Sequence, residues 1–317
     1  MRLGRTYPQE VTLLNIGWKS VAWSAAALLV LLSIPTPFVA ITLFLIMVPM
    51  VILYTMLKPI SFAIHIAGVG VAAFAFLGAY SLLPLVFGLF FLIPSVVMGH
   101  LYKRRAPART VVTVTMVVVL VQLLVELVIF SIQYDLNLSS ELAGLFEDFL
   151  NRLETNTVMP ADWVSETSVY VGDTITKMLP AVLLLSSFMM AVITHVIARR
   201  GLGLMGIVVP GMSAMRNWML PRSLIFYYLI ALLLSFTISP DSTGFWSTVT
   251  ANAVPVLQFA FTIQSMAFFF YLADVKKWNK AVPVTINVIL LLIFPPFYFI
   301  GLLDAAFPIR KNFVKKG

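Results

Sequence analysis

Apolar positions in this chain run in long blocks of membrane length, each cut by a proline, a glycine turn or a cluster of bases, rather than marking one face of a soluble helix or alternating as in a strand. The blocks predict spans over Trp18 to Ile34, Phe38 to Leu57, Ile60 to Tyr80, Leu82 to Tyr102, Thr110 to Tyr134, Ile175 to Ala198, Ser223 to Ile238 and Val249 to Ala273. Pro35-Thr36-Pro37 and Ser239-Pro240-Asp241-Ser242 make the tight turns at one end, Lys58-Pro59 at the other, and Pro84 and Pro94 predict a kinked fourth span. Residues 1–17 are mixed and predict a short helix on the inner surface. The last block, Pro283 to Leu303, is divided by Pro295-Pro296. It is expected as a ninth full span; the alternative is a re-entrant hairpin that keeps Arg310, Lys311, Lys315 and Lys316 inside. The fold class is therefore all-α, a polytopic transmembrane helical bundle of eight or nine spans.

The interval 135–173 breaks the pattern. It sets Asp135, Glu141, Glu147, Asp148, Glu154, Asp162, Glu166 and Asp173 against the single base Arg152, whereas Lys103-Arg104-Arg105-Arg109 and Arg199-Arg200 flank it. Because bases favour the cytoplasmic ends of spans, the acidic interval is assigned to the outer face and the N-terminus to the cytoplasm. Within it, Leu142, Leu145, Phe146, Phe149, Leu150 and Leu153 recur at helical spacing, which predicts an amphipathic helix lying in the outer interface, or alternatively a lid. Two membrane domains follow: 1–198, with six spans and the outer insert 135–173, and 199–317, with two or three spans.

Composition agrees. With 61% hydrophobic and 11% charged residues and a mean hydropathy of +0.99, 317 residues cannot bury their apolar surface in one soluble core. The net charge of +8 sits in short clusters at block ends, where it contacts anionic lipid and fixes topology, so no nucleic-acid partner is expected. The chain has no cysteine and hence no disulfide or sulfur metal site.

Little points to catalysis. Gly201-Leu202-Gly203-Leu204-Met205-Gly206 spells a dinucleotide fingerprint, but it follows a membrane block, lacks a βαβ unit and reads as a helix C-cap and turn. His65, His100 and His195 are scattered without a second ligand at helical spacing. No catalytic residue, metal or cofactor is expected. Glu126 stands out because an ionisable group inside a span is costly unless paired or wet; Gln122 and Gln133 share its face, as a polar substrate site or as an interhelical clamp. Gln258, Thr262 and Ser265, with Asn252, Gln264 and Asn287 near them, are expected as helix–helix glue. Gly68, Ala72, Ala75 and Ala79 form a small-residue stripe expected to pack. Arg216-Asn217-Trp218-Met219-Leu220-Pro221-Arg222 is expected to anchor at the inner interface, with Arg216, Trp218 and Arg222 a docking surface for a partner in the alternative.

Leu85-Val86-Phe87-Gly88 through Met98-Gly99, Leu179-Pro180 through Thr194-His195-Val196-Ile197, Arg216 through Leu224 with Tyr227-Tyr228, Ile263-Gln264-Ser265, and Gly301-Leu302-Leu303-Asp304 with Arg310-Lys311 resemble the YybS-like bacterial membrane proteins, a family of unknown function. That family is distantly similar to the S components of energy-coupling factor transporters. The resemblance implies solute capture by a six-helix unit, a separate transmembrane coupler and ATPase subunits as partners, and a docking surface at Ala22 and Ala26. The spans after Arg199 and the acidic insert depart from that plan. The expected function is binding or transport of a small polar solute in the bacterial inner membrane through Glu126, Gln122 and Gln133. The alternative is a non-transporting scaffold or regulator of envelope or signalling proteins.

Overall fold

The computed structural model describes residues 17–134, 137–153, 160–238, 244–307 and 309–313, which form helices and contain no strand. In chain order, α1 is Trp18–Leu32, α2 Val39–Leu45, α3 Met47–Met56, α4 Pro59–Leu77, α5 Leu82–Lys103 and α6 Ala108–Tyr134. Then come α7 Leu138–Leu153, α8 Ala161–Leu204, α9 Ser223–Thr237, α10 Phe245–Val275, α11 Ala281–Ile293, α12 Tyr298–Ala306 and α13 Ile309–Phe313. The expected inner-surface helix, except for residue 17, and the turn Ser239–Ser242 lie outside the described residues.

Among the described residues, five stretches are long and apolar enough to cross a bilayer: Val39–Met56, Pro59–Lys103, Ala108–Ile129, Asp162–Leu204 and Phe245–Val275. Trp18–Leu32, Ser223–Thr237 and Ala281–Ile293 are shorter apolar helices. The 45-residue stretch Pro59–Lys103 is α4 and α5 joined by a 3-10 turn at Gly78–Ser81, where Gly78 takes a φ of +53° that ends α4.

The chain packs as two compact units, one of the described residues up to Leu127 with Ser186–Met212, the other of Val128–Leu185 with the described residues from Ser213 onward. This grouping differs from a division after residue 198, because α6 and α8 each contribute to both units.

In the first unit α3 is the centre. Met47 to Leu53, Thr55 and Met56 are all buried, as a helix apolar on every side requires. It packs on α5, where Gly99 lets Tyr54 approach: a Cβ there would stand 2.7 Å from the Tyr54 ring. On α4 the packed face is Phe62, Val69 and Ala73. Gly68, Ala75 and Ala79 are exposed and Ala72 is half-buried, so the small-residue stripe expected to pack is left largely uncovered within this chain.

In the second unit α10 is the hub for α9, α11 and α12. A Cβ at Gly301 would overlap the Phe261 carbonyl and stand 2.6 Å from the Ser265 nitrogen, so glycine is what lets α12 lie against α10. The last apolar block is two helices divided at Phe294–Pro296 rather than one long helix. At 1.5 Å per residue α11 spans roughly 20 Å and α12 roughly 14 Å, each short of a hydrocarbon core of about 30 Å. Arg310, beyond α12, donates to the carbonyls of Arg216 and Trp218, while Arg216 pairs with Asp274 at the end of α10. Both ends of the α11–α12 hairpin therefore lie at the same end of this unit.

The acidic insert is also built differently from a lone surface helix. α8 begins at Ala161, and its 44 residues run to roughly 66 Å, so its first turns belong to the insert. α7 packs on it where Gly172 meets the Ser139 carbonyl and Ala143. Ala143 and Leu150 are buried on that side, whereas Leu145 and Phe149, assigned to the same apolar face from spacing, remain exposed.

Candidate functional site

At one end of the second unit a cavity of about 620 Å³ opens between the first half of α8, the end of α9 and the first half of α10. Asp173, Thr174 and Lys177 line it from α8, and Thr250, Pro255 and Gln258 from α10. Pro255 is part of its lining, and Pro180 follows two residues after Met178, the last α8 residue that lines it. Pro180 in α8 and Pro255 in α10 have no N–H, so the carbonyls of Thr176 and Ala251 lose the amide donor four residues on.

A side chain from α10 also reaches the α8 backbone. The Ala181 amide donates to Asn252 Oδ1 at 2.7 Å, and Asn252 Nδ2 donates to the Lys177 carbonyl at 2.7 Å. Asn252 thus ties α10 to the α8 backbone with its own amide, while α8 stays helical from Ala161 to Leu204. A proline inside a membrane helix is tolerated where neighbouring protein or a polar cavity covers the freed carbonyl. The mouth is tied to the insert: Ser139 Oγ on α7 donates to the Asp173 carboxylate. Gln258 Nε2 donates to the Tyr228 hydroxyl at 3.3 Å and fixes the α9 side.

The opposite end of α9 and α10 carries a polar clamp. Asp304 is fully buried and accepts from Gln264 Nε2 at 2.6 Å and from Arg310 Nη2 at 2.7 Å. Gln264 Oε1 accepts the Leu220 amide at 3.0 Å, and Ser265 Oγ donates to the Phe297 carbonyl at 2.7 Å. Gln264, Ser265 and Asn252, read from the sequence as glue, act as glue.

The candidate residues are dispersed. Gln122 is half-buried, and its Nε2 donates to the Phe90 carbonyl on α5 at 2.9 Å, while its Oε1 is buried without a partner among the described residues. Glu126, one turn on, is half-buried and forms no ion pair among the described residues. Gln133 lies in α6, but its side chain is outside what the structure describes. None of the three lines the cavity. Ala22 is exposed and Ala26 half-buried; the buried residues of α1 are Ser20, Ala27 and Leu31. Arg216 is paired with Asp274, Trp218 Nε1 donates to the Ser213 carbonyl at 2.9 Å, and Arg222 is exposed at the start of α9.

Two of the three histidines hydrogen-bond across to neighbouring helices, and His100 is exposed. His65 reaches the Ser61 carbonyl at 2.8 Å and Ser20 Oγ at 3.1 Å, and His195 shares a 2.9 Å hydrogen bond with the Tyr102 hydroxyl. No cluster of three or more His, Cys, Asp or Glu suited to a metal ion occurs among the described residues. Gly206, with φ +84°, closes α8 as a cap.

The sequence reading missed Lys177 and Asp173 as site residues. The signal was available: Lys177 is an ionisable residue inside the apolar block that starts at Ile175.

A sequence family described as a predicted membrane protein, DUF2232, matches residues 24–305. The uncharacterised protein YybS of Bacillus subtilis (strain 168) is 25% identical over 301 residues, covering 91% of this chain and 95% of the relative. No solved structure matches the chain.

Proposed function

The chain belongs to the DUF2232 family of predicted membrane proteins, and on that premise we propose that it is a multi-pass protein of the bacterial cytoplasmic membrane that binds a small polar solute in the α8–α9–α10 cavity. The observation that carries the reading is that cavity: two proline-containing helices meet there, and its volume of about 620 Å³ lies inside the range of small-molecule sites. Eight crossings are assigned, α1, α2 with α3, α4, α5, α6, α8, α9 and α10, with α11 and α12 as a hairpin entering from the inner face. This assignment gathers Lys103 to Arg105, Arg199, Arg200, Arg216, Arg222, Lys276, Lys277 and Arg310 on the cytoplasmic side. The cavity then faces outward beside the acidic insert. Any energy for transport comes from other chains, as in the coupler and ATPase partners of S components.

Glu126 and Gln122 are assigned in this reading to packing between α5 and α6. The test is native mass spectrometry of the full chain released from lipid-detergent micelles, comparing wild type, Thr250→Trp, which fills the cavity, and Glu126→Gln. A co-purified small molecule is expected on wild type and Glu126→Gln and absent from Thr250→Trp at unchanged melting temperature. Retention on Thr250→Trp with loss on Glu126→Gln would move the site to α6 and refute the proposal.

A scaffold role is the second reading, favoured by Arg222, which is exposed at the end of the unit bearing the clamp. It predicts a co-purified envelope or signalling protein that is lost in Arg222→Ala.

A further inference from the structure

Lys177 lines the cavity from within the apolar part of α8, and its ammonium has no hydrogen-bond or ion-pair partner among the described residues, whose side-chain ion pairs are Arg216–Asp274 and Arg310–Asp304. A half-buried cation in a span requires a counter-ion or water. The nearest acid along its helix, Asp173, is exposed at the rim and occupied by Ser139 Oγ. Tyr170, Thr174 and Ser247 line the same cavity and bring hydroxyls that donate to no other described residue. Asn252 has already taken the Lys177 carbonyl and the Ala181 amide, so around Lys177 the wall offers an occupant hydroxyl donors and a positive charge, with the Asp173 carboxylate one turn away at the rim.

Resting on the cavity as the binding site, we propose that its occupant presents an anionic group, a carboxylate or phosphate, which sits on the Lys177 ammonium and takes hydrogen bonds from the surrounding hydroxyls. The group belongs to a small soluble anion or to an acidic phospholipid headgroup reaching in from the bilayer. The chemistry of the two is shared, and the experiment separates them.

The full chain is placed in phosphatidylcholine nanodiscs, and acylation of Lys177 by an amine-reactive reagent is followed by peptide mass spectrometry, with Lys276 as the exposed reference. Probes are inorganic phosphate, acetate and choline, each added separately, and nanodiscs in which phosphatidylglycerol replaces part of the phosphatidylcholine. Phosphate or acetate is expected to slow Lys177 acylation about tenfold at a concentration ten times its Kd, because about one site in eleven is then empty, with Lys276 unchanged. Protection by phosphatidylglycerol alone assigns the headgroup as the source and equally supports the proposal. In Thr250→Trp the protection by the probe is lost. Protection by choline without protection by any anion keeps the cavity as a binding site but overturns the anionic assignment. Absence of protection by every probe overturns both.

Discussion

Asp304→Ala tests the clamp that ties the hairpin to the rest of the second unit. Asp304 accepts bonds from Arg310 Nη2 at 2.7 Å, Arg310 Nε at 3.1 Å and Gln264 Nε2 at 2.6 Å, with no exposed surface of its own. Removing it leaves a guanidinium that is only 14% exposed without its counter-charge. Breaking a buried pair from one side costs ~3–5 kcal/mol, whereas replacing both partners by apolar groups of similar volume is near neutral for the pair itself. Arg310 also donates to the carbonyls of Arg216 and Trp218. The double replacement Asp304→Leu with Arg310→Met therefore forfeits those two bonds, each worth roughly 1.5–3 kcal/mol as charge-assisted bonds. The order of destabilisation should be Arg310→Met largest, with Asp304→Ala next, and the double variant well short of the sum of the single changes Asp304→Leu and Arg310→Met. The coupling energy should be about 2 kcal/mol or more in a double-mutant cycle. The assay is reversible unfolding in mixed lipid-detergent micelles titrated with dodecyl sulfate, read by tryptophan fluorescence. An Asp304→Ala chain within about 1 kcal/mol of wild type, below the cost of losing a buried partner, would refute the reasoning, as would additive single and double variants.

Other outcomes follow from the same contacts. Gly301→Val should separate α12 from α10, because even a Cβ overlaps the Phe261 carbonyl; the same titration should show a loss of several kcal/mol, more than typical core substitutions of about 1–3 kcal/mol. Asn252→Ala strips partners from the Ala181 amide and the Lys177 carbonyl and should cost about 1–3 kcal/mol per group, with faster hydrogen exchange around residue 181 as the local readout. Gln122→Leu removes one interhelical bond and should cost only about 0.6–2 kcal/mol, so a larger loss would show that α6 depends on Gln122 beyond packing.

Much of the fold was legible. Block lengths and hydropathy placed helices where α3, α5, α6 and α9 lie, Gly206 was recognisable as a cap, and Asn252, Gln264 and Ser265 were recognisable as polar glue because a polar group among apolar ones needs a partner. The candidate site was less legible. Glu126 stands out as the lone acid in its block, while Lys177, near the start of its own block, gains a place in a cavity only through the α9 and α10 residues that pack around it.

What sequence decided was which segments are helical and apolar, since length and composition alone set whether a segment is stable in lipid. It could not decide which face of each helix meets its neighbours. In water the apolar face turns inward, but lipid is as apolar as a protein interior, so the hydrophobic pattern carries no sense of direction. The structure made that choice through shape, at Gly99 and Gly301, and through polar partners remote in sequence, as when Asp304 meets Gln264 and Arg310 reaches back to Arg216 and Trp218. The fold of the last apolar block into a hairpin follows from those contacts, and they form only after the helices have come together.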